Sequence, residues 1–387
     1  MDRGRIVYPL IQLAGVLSIL TVTVLIWFEQ DIVIMSAKYF FWFIMIPLMV
    51  LTIFFAPGVW RNVCPLATTN LAYYNLFHKR RVEREGPAAN KLSGRMGVAH
   101  EFLKKRGALI SALLFWSIVP LRLVFLTDDS VATVLLIVGI FSLALLMGIL
   151  FPVKSGWCTS ICPIFSVEKT YSINPPFFAR NVRCDYTDAN TQQTRPCSAC
   201  SFNCVDILGT EKTYLMENVS KIQHDTTNAA MRKIFIATFP GFLLGYFLLA
   251  FEVDVLGPLT HALPLVLSVY LTIAMCMLMT YLIHATIKSV FRKRIIEHDG
   301  ELTIEKPNPF YALLKRRLDL VYVAASIGGS WTAFTYGTFH PLALDIAGQL
   351  FATGFLIVSM AAMLIVSTLF IVKGWNETLQ NEHASWF

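Results

Sequence analysis

Eight uninterrupted apolar runs divide the chain, at residues 6–28, 38–57, 107–126, 131–151, 234–252, 262–286, 319–338 and 346–372. None shows the regular polar interruptions of a half-buried helix or strand, and each is long enough to cross a hydrocarbon layer of about 30 Å. Backbone amides in lipid need partners within their own segment, so all eight are expected to be helices. The seventh is the least apolar, because Gly328, Gly329, Ser330 and Thr332 dilute it. The pattern predicts an all-α polytopic membrane protein with transmembrane helices 1–4 in residues 1–151 and helices 5–8 in residues 234–387. Between them, residues 152–233 form a polar segment too long for an idle connection. No Ala-x-Ala-like site follows the first run, which is therefore expected to persist as a helix.

The basic residues orient these spans. Of 32 Lys and Arg, 10 lie in 58–106, nine in 152–233 and eight in 287–318, with Arg3, Arg5 and Lys373 at the ends. Lys38 and Arg122 alone fall on or near the opposite side, where Glu29, Asp31, Asp128, Asp129, Glu252 and Asp254 gather. Basic loops are retained in the cytoplasm, so both termini and the three basic segments are expected there. Composition agrees: 56% of the 387 residues are hydrophobic and 15% charged, against roughly a quarter charged in soluble domains. The net charge of +7 follows topology, with no recognition-helix pattern or aromatic–basic alternation for nucleic acid. His78-Lys-Arg-Arg81 and Lys104-Lys-Arg106 are topology anchors suited to anionic lipid.

Seven of the eight cysteines lie in segments expected to be cytoplasmic. Disulfides are rare in that reducing compartment, so thiolates at ligand spacing point first to metal. Two of the motifs are duplicated. Phe-Ala-Pro-Gly-Val-Trp-Arg-Asn-Val-Cys-Pro-Leu ends at Leu66, and Phe-Pro-Val-Lys-Ser-Gly-Trp-Cys-Thr-Ser-Ile-Cys-Pro-Ile ends at Ile164. Superposing Cys64 on Cys162 aligns Pro65 with Pro163, Tyr73 with Tyr171 and Trp60 with Cys158. Both follow a span of the same direction, which predicts parallel repeats about an axis along the membrane normal. Two such hairpins side by side would bring Cys64 close to Cys158 and Cys162. The proline after each cysteine is expected to stop a helix and turn the chain. Chance similarity of two helix exits is the alternative.

The polar segment adds Cys184, Cys197, Cys200 and Cys204, spaced Cys-x12-Cys-x2-Cys-x3-Cys. A cubane cluster needs four converging thiolates, and short spacers let one tight loop supply several. Asp185, Asp188, Asn190, Pro196 and Asn203 favour such a loop. A structural zinc site also uses Cys-x2-Cys pairs, but usually as two separated knuckles.

At these residues the chain resembles the membrane-integral, polyferredoxin-like iron–sulfur proteins of the NapH/NosR type, which include quinol dehydrogenase and maturation subunits. Cys158-Thr-Ser-Ile-Cys162-Pro163 with Gly156-Trp157, the half-motif Cys64-Pro65, and the Cys184 to Cys204 set carry the resemblance, over roughly residues 38–210. It implies a [4Fe–4S] centre on Cys184, Cys197, Cys200 and Cys204. Cys64, Cys158 and Cys162 would hold a second cluster or belong to the same site. It further implies a multi-pass protein of the bacterial cytoplasmic membrane that relays electrons between quinone or quinol and a redox partner protein, as the electron-transfer subunit of a quinol-dehydrogenase-like oxidoreductase. The chain departs from the family where Trp60 replaces a cysteine and Val205 stands where proline would be.

Other residues change this picture little. His261 and His340 fall at outer span ends and His284 near an inner one, where an imidazole can ligate haem b, contact a quinone, or merely hydrogen-bond. Arg122 is expected to snorkel to the headgroups, and Cys276, alone in mid-span, to act as a small apolar filler. No Gly-x-Gly-x-x-Gly or Walker-type loop is present, so flavin or nucleotide would reside on another subunit. The competing function classes are maturation or redox regulation of a metalloenzyme, and transport with a zinc-stabilised domain. The spans carry no mid-bilayer charge to mark a transport path.

Overall fold

The computed structural model describes residues 4–32, 35–56, 59–60, 63–73, 76–77, 94–151, 156–171, 185–187, 194–196, 226–250, 264–290, 295–298, 301–304 and 309–380. The chain forms two compact units, Met1–Arg232 and Lys233–Phe387. It is an all-α, multi-pass membrane protein, with seven helices among the described residues long and apolar enough to cross a bilayer.

In the first unit, α1 (Gly4–Trp27) leads through a tiny hairpin, β1 (Asp31–Ile32) and β2 (Met35–Ser36), into a span built from α2 (Ala37–Phe40), a π-helical stretch Phe41–Met45 and α3 (Ile46–Phe55). A short helix follows, α4 (Pro65–Tyr73), then α5 (Gly94–Leu121) with a π-helical end Arg122–Leu126, and α6 (Ser130–Leu150). A π-helical turn, Trp157–Ile161, and α7 (Phe165–Tyr171) complete its helical part. Helix α5 starts at Gly94, well upstream of the apolar run at 107, so residues 94–106 are helical instead of forming a loop.

At the acidic-loop end, Val22, Ile26, Phe41, Trp42, Leu126, Val134 and Ile137 form a buried cluster. The Trp42 indole N–H donates to the Leu126 carbonyl at 3.1 Å and to Thr133 Oγ1 at 3.2 Å, tying α5 and α6 to the second span. Arg122, expected to snorkel, also finds partners within the protein. Its guanidinium lies over the Phe43 ring at 4.8 Å and the Trp42 ring at 5.5 Å, because aromatic faces offer the cation a partner within the protein. The Asp129 side chain caps α6 by accepting from the Ala132 amide at 3.0 Å.

At the opposite end the two repeats cross over. Helix α4, which closes the first hairpin, packs against α1 and α6, whereas α7, which closes the second, packs against α5 and α3. Each short helix is seated on the first span of its own hairpin and the second span of the other. A Cβ on Gly148 of α6 would collide with the backbone carbonyl of Asn70 in α4, so glycine is what lets these backbones meet. Residues 65–73 therefore form a packed half-length helix beside a spanning segment, not a solvated loop.

The second unit holds α8 (Thr226–Ala250), which begins just before the division, α9 (Leu265–Val290), α10 (Pro309–Phe334) with a π-helical end Thr335–Phe339, and α11 (His340–Gln380), broken at Gly348 with φ 82°. A hairpin of two antiparallel strands, Ile295–His298 and Glu301–Ile304, precedes α10. Helices α8 and α9 approach through Gly241, whose Cβ would strike the Cys276 carbonyl and Thr280 Oγ1. Cys276 is thus a packing residue at a helix crossing.

Helix α10 covers the seventh apolar run, yet is not among the seven helices apolar enough to span. At 26 residues it is long enough, about 39 Å at 1.5 Å per residue. Lys315, Arg316, Arg317 and Asp319 charge one part, and Gly328, Gly329, Ser330 and Thr332 dilute the other. Its charge is tied down inside the unit. Asp319 Oδ1 lies 2.8 Å from His284 Nε2 and 2.8 Å from Lys288 Nζ on α9, and the Tyr322 hydroxyl donates to the Thr280 carbonyl at 3.0 Å. His284, 5% exposed, is therefore held by a carboxylate. Removing the carboxylate in Asp319→Ala should cost about 1–2 kcal/mol. That lies below the 3–5 kcal/mol of a fully buried pair, because Asp319 and Lys288 are part-exposed. The drop should appear as an earlier unfolding midpoint in detergent.

Candidate metal centre

The geometry around Cys64 begins where α3 ends. Ala56 leaves the helix at φ −142°, ψ 64° while its amide still donates to the Thr52 carbonyl. Helix-like spacing of hydrogen bonds then continues: Trp60 to Ala56 at 3.1 Å, Cys64 to Trp60 at 2.7 Å, Thr68 to Cys64 at 3.0 Å. In the second copy the Cys162 amide donates to the Trp157 carbonyl at 2.9 Å, and the backbone of Cys162 (φ −57°, ψ 118°) leaves the helical region. The Cys162 carbonyl accepts from the Phe165 amide at 3.1 Å as α7 begins. Pro163 follows the end of the π-helical turn and lies outside any helix, as expected, whereas Pro65 opens a helix. Pro65 is the first residue of α4, a position whose missing N–H forfeits no intrahelical bond.

Buried polar contacts fix both short helices. The Asn70 side-chain amide donates to the Ala144 carbonyl at 2.9 Å. Ser111 of α5 accepts from the Ser166 amide at 3.1 Å and from its hydroxyl at 3.0 Å. The rings of Phe54 and Tyr171 meet edge to face with centroids 6.1 Å apart. Substituting Ser111→Ala should cost about 1–3 kcal/mol, since it strips the acceptor from a buried amide and a buried hydroxyl. Denaturant unfolding of the variant would measure it.

Cys64, Cys158 and Cys162 are thiols, not disulfides, each partly exposed. Cys158 stands on the π-helical turn four residues before Cys162, and this turn also contacts α4. Although part of its surface reaches the outside, Cys162 lies deep among protein atoms. That burial is the main force pushing its thiol pKa upward, with the charge of Cys64 next and that of Glu168 a smaller contribution. The Ile164 and Phe165 backbone amides oppose the shift. Thiols from the two repeats therefore lie within each other's electrostatic reach, and at neutral pH Cys162 keeps its proton. A soft cation relieves such a pair by replacing the proton, so binding there is linked to pH.

The donor chemistry fits iron or zinc, both of which take thiolate sulfur. The donor count is incomplete among the described residues, where no group of three or more His, Cys, Asp or Glu side chains is gathered tightly enough to hold a metal. Cys184, Cys197, Cys200 and Cys204 lie outside the described residues, as does His261. His340 is the first residue of α11, but its side chain is outside them too. A hairpin of β3 (Asp185–Thr187) and β4 (Thr194–Pro196) is described, with Asp185 paired to Pro196.

Sequence reasoning missed three buried polar residues here. Asn70 is 0% and Glu168 9% exposed, and the repeat alignment that superposes Cys64 on Cys162 also superposes these two, a signal that was available. Trp157 is 1% exposed, and its indole N–H finds no hydrogen-bond partner among the described residues. No family model matches the chain, and no curated protein or solved structure matches it either.

Proposed function

We propose that this protein is a membrane-bound iron–sulfur electron carrier, relaying electrons between the quinone pool and a redox partner protein. The reading places a [4Fe–4S] centre on Cys184, Cys197, Cys200 and Cys204, with Cys64, Cys158 and Cys162 completing a second centre or enclosing the first. It counts α10 as an eighth span, which sets both termini and all seven cysteines on the cytoplasmic side, as the basic loops require. The bound group would supply one-electron transfer. The chain's own residues hold it, exclude water and adjust its potential through burial and amide hydrogen bonds.

The observation that carries the reading is the cysteine spacing itself, Cys184 to Cys204 with Cys64-Pro65 and Cys158 to Pro163, the latter two motifs leading into short helices that the two repeats exchange. The β3–β4 hairpin adds support. Its register closes the ladder at Asp185 and Pro196, the residues that follow Cys184 and precede Cys197 in sequence.

Anaerobic purification tests it. The protein should be brown, with a broad band near ~400 nm from thiolate-bound iron, an EPR signal when reduced, and bleaching on addition of a soluble quinol. Cys200→Ser should abolish the signal. A colourless protein containing zinc defeats the reading. An intact cluster that quinol cannot reduce would instead favour maturation or redox regulation of a metalloenzyme.

A further inference from the structure

Arg232 is 8% exposed, and its buried Nε has no hydrogen-bond partner. Among the described residues no carboxylate, carbonyl or aromatic ring engages its guanidinium. The side chain belongs to the packed face of α8, in helical register with Phe235, Ile236 and Phe239, all three buried, while the adjacent Lys233 is exposed. A snorkelling arginine keeps its charged head in water, and Arg232 does not. Arg122 rests its charge on the rings of Phe43 and Trp42, and Arg232 has no such support. A guanidinium cannot escape the cost of burial by losing its proton. A buried one therefore calls for an anion.

Its depth says which anion. Arg232 is the third residue of the spanning stretch Ala230–Ala250, about 3 Å from its end at 1.5 Å per residue. Lipid phosphates lie at that edge of the hydrocarbon. The planar fork of a guanidinium matches two phosphate oxygens at once, and basic pockets among spanning helices hold anionic headgroups. We infer that Arg232 binds the phosphate of an anionic phospholipid whose headgroup enters the protein beside α8. The inference is independent of the iron–sulfur reading.

The test uses the full-length protein stripped of lipid in a neutral detergent, with thermal unfolding as the readout. Phosphatidylglycerol, phosphatidylcholine or inorganic phosphate is then added back. Phosphatidylglycerol should raise the wild-type midpoint, and Arg232→Met should need at least about tenfold more of it for half the rise, as the loss of a charge-assisted hydrogen bond implies. Before any lipid is added, Arg232→Met should unfold no earlier than wild type, because the uncompensated charge is gone. An arginine that only supports the fold gives the opposite, so an earlier midpoint in the stripped variant overturns the inference. An equal response of wild type and variant to phosphatidylglycerol also overturns it, as does no response of wild type. The exposed neighbour is the control: a loss in Lys233→Gln as large as in Arg232→Met assigns the effect to surface charge and sinks the site. Phosphatidylcholine acting as strongly as phosphatidylglycerol removes the need for an anionic lipid. An equal rise with inorganic phosphate overturns lipid as the source of the phosphate. Should the variant not accumulate, photoactivatable phosphatidylglycerol on wild-type protein decides. Crosslinking to the start of α8 supports the site, and labelling confined to other helices rules it out.

Discussion

Gly148→Val should destabilise the protein by about 3–5 kcal/mol. The side chain would meet the Asn70 carbonyl of α4 at a helix crossing with no slack. Overpacking of this kind costs about 1–3 kcal/mol. Pushing α4 away also breaks the bond from Asn70 to Ala144, leaving a wholly buried amide unpaired for about 1–3 kcal/mol more. Net stabilities of only about 5–15 kcal/mol make that a large fraction. Gly139 lies on the same helix with nothing within 4 Å of an added Cβ, so Gly139→Val is the control and should change little. Thermal unfolding in detergent distinguishes the two variants. Equal stability would mean that α4 does not sit on α6.

On the iron–sulfur reading proposed above, Cys162→Ser should lower metal retention by on the order of 100-fold or more, since even outer-shell changes at metal sites cost about 10–100-fold. Serine removes a soft donor from a position where burial already opposes charge. On the same reading Cys64→Ser should also lower it, because Cys64 occupies the position in the first repeat that Cys162 holds in the second. Cys276→Ser should leave metal content unchanged, as that thiol stands at the crossing of α8 and α9. Iron and zinc analysis of the three purified variants gives the answer directly. Loss confined to Cys64→Ser would regroup the ligands.

The spans were legible because lipid leaves few options: a run of about 20 apolar residues must satisfy its amides as a helix. The described spans fall on those runs, and α10 forms where the run was weakest. What its composition concealed is the tie from Asp319 to His284 and Lys288, a contact between residues 35 and 31 positions apart. Helix α4 was illegible for a different reason. Nine residues cannot cross a bilayer, and Thr68, Thr69 and Asn70 give the segment the polarity of a loop. Its helix exists because α1 and α6 supply surfaces, a tertiary effect that no local pattern announces. The site divides likewise. Cysteine spacing marked every candidate thiol, whereas Glu168, Ser111 and the Trp157 N–H matter through burial alone, which spacing does not encode.

Because the short helices are exchanged between hairpins, neither hairpin is a finished object when it leaves the ribosome. The seat for Asn70 is a carbonyl 74 residues further along the chain. At about 5–20 residues per second, α4 waits roughly 4–15 s before its berth on α6 has been made. Throughout that interval Cys64 is without its counterpart in the second repeat. On the iron–sulfur reading proposed above, loading would follow insertion of the fourth span, and a nascent chain arrested before residue 144 should emerge without metal.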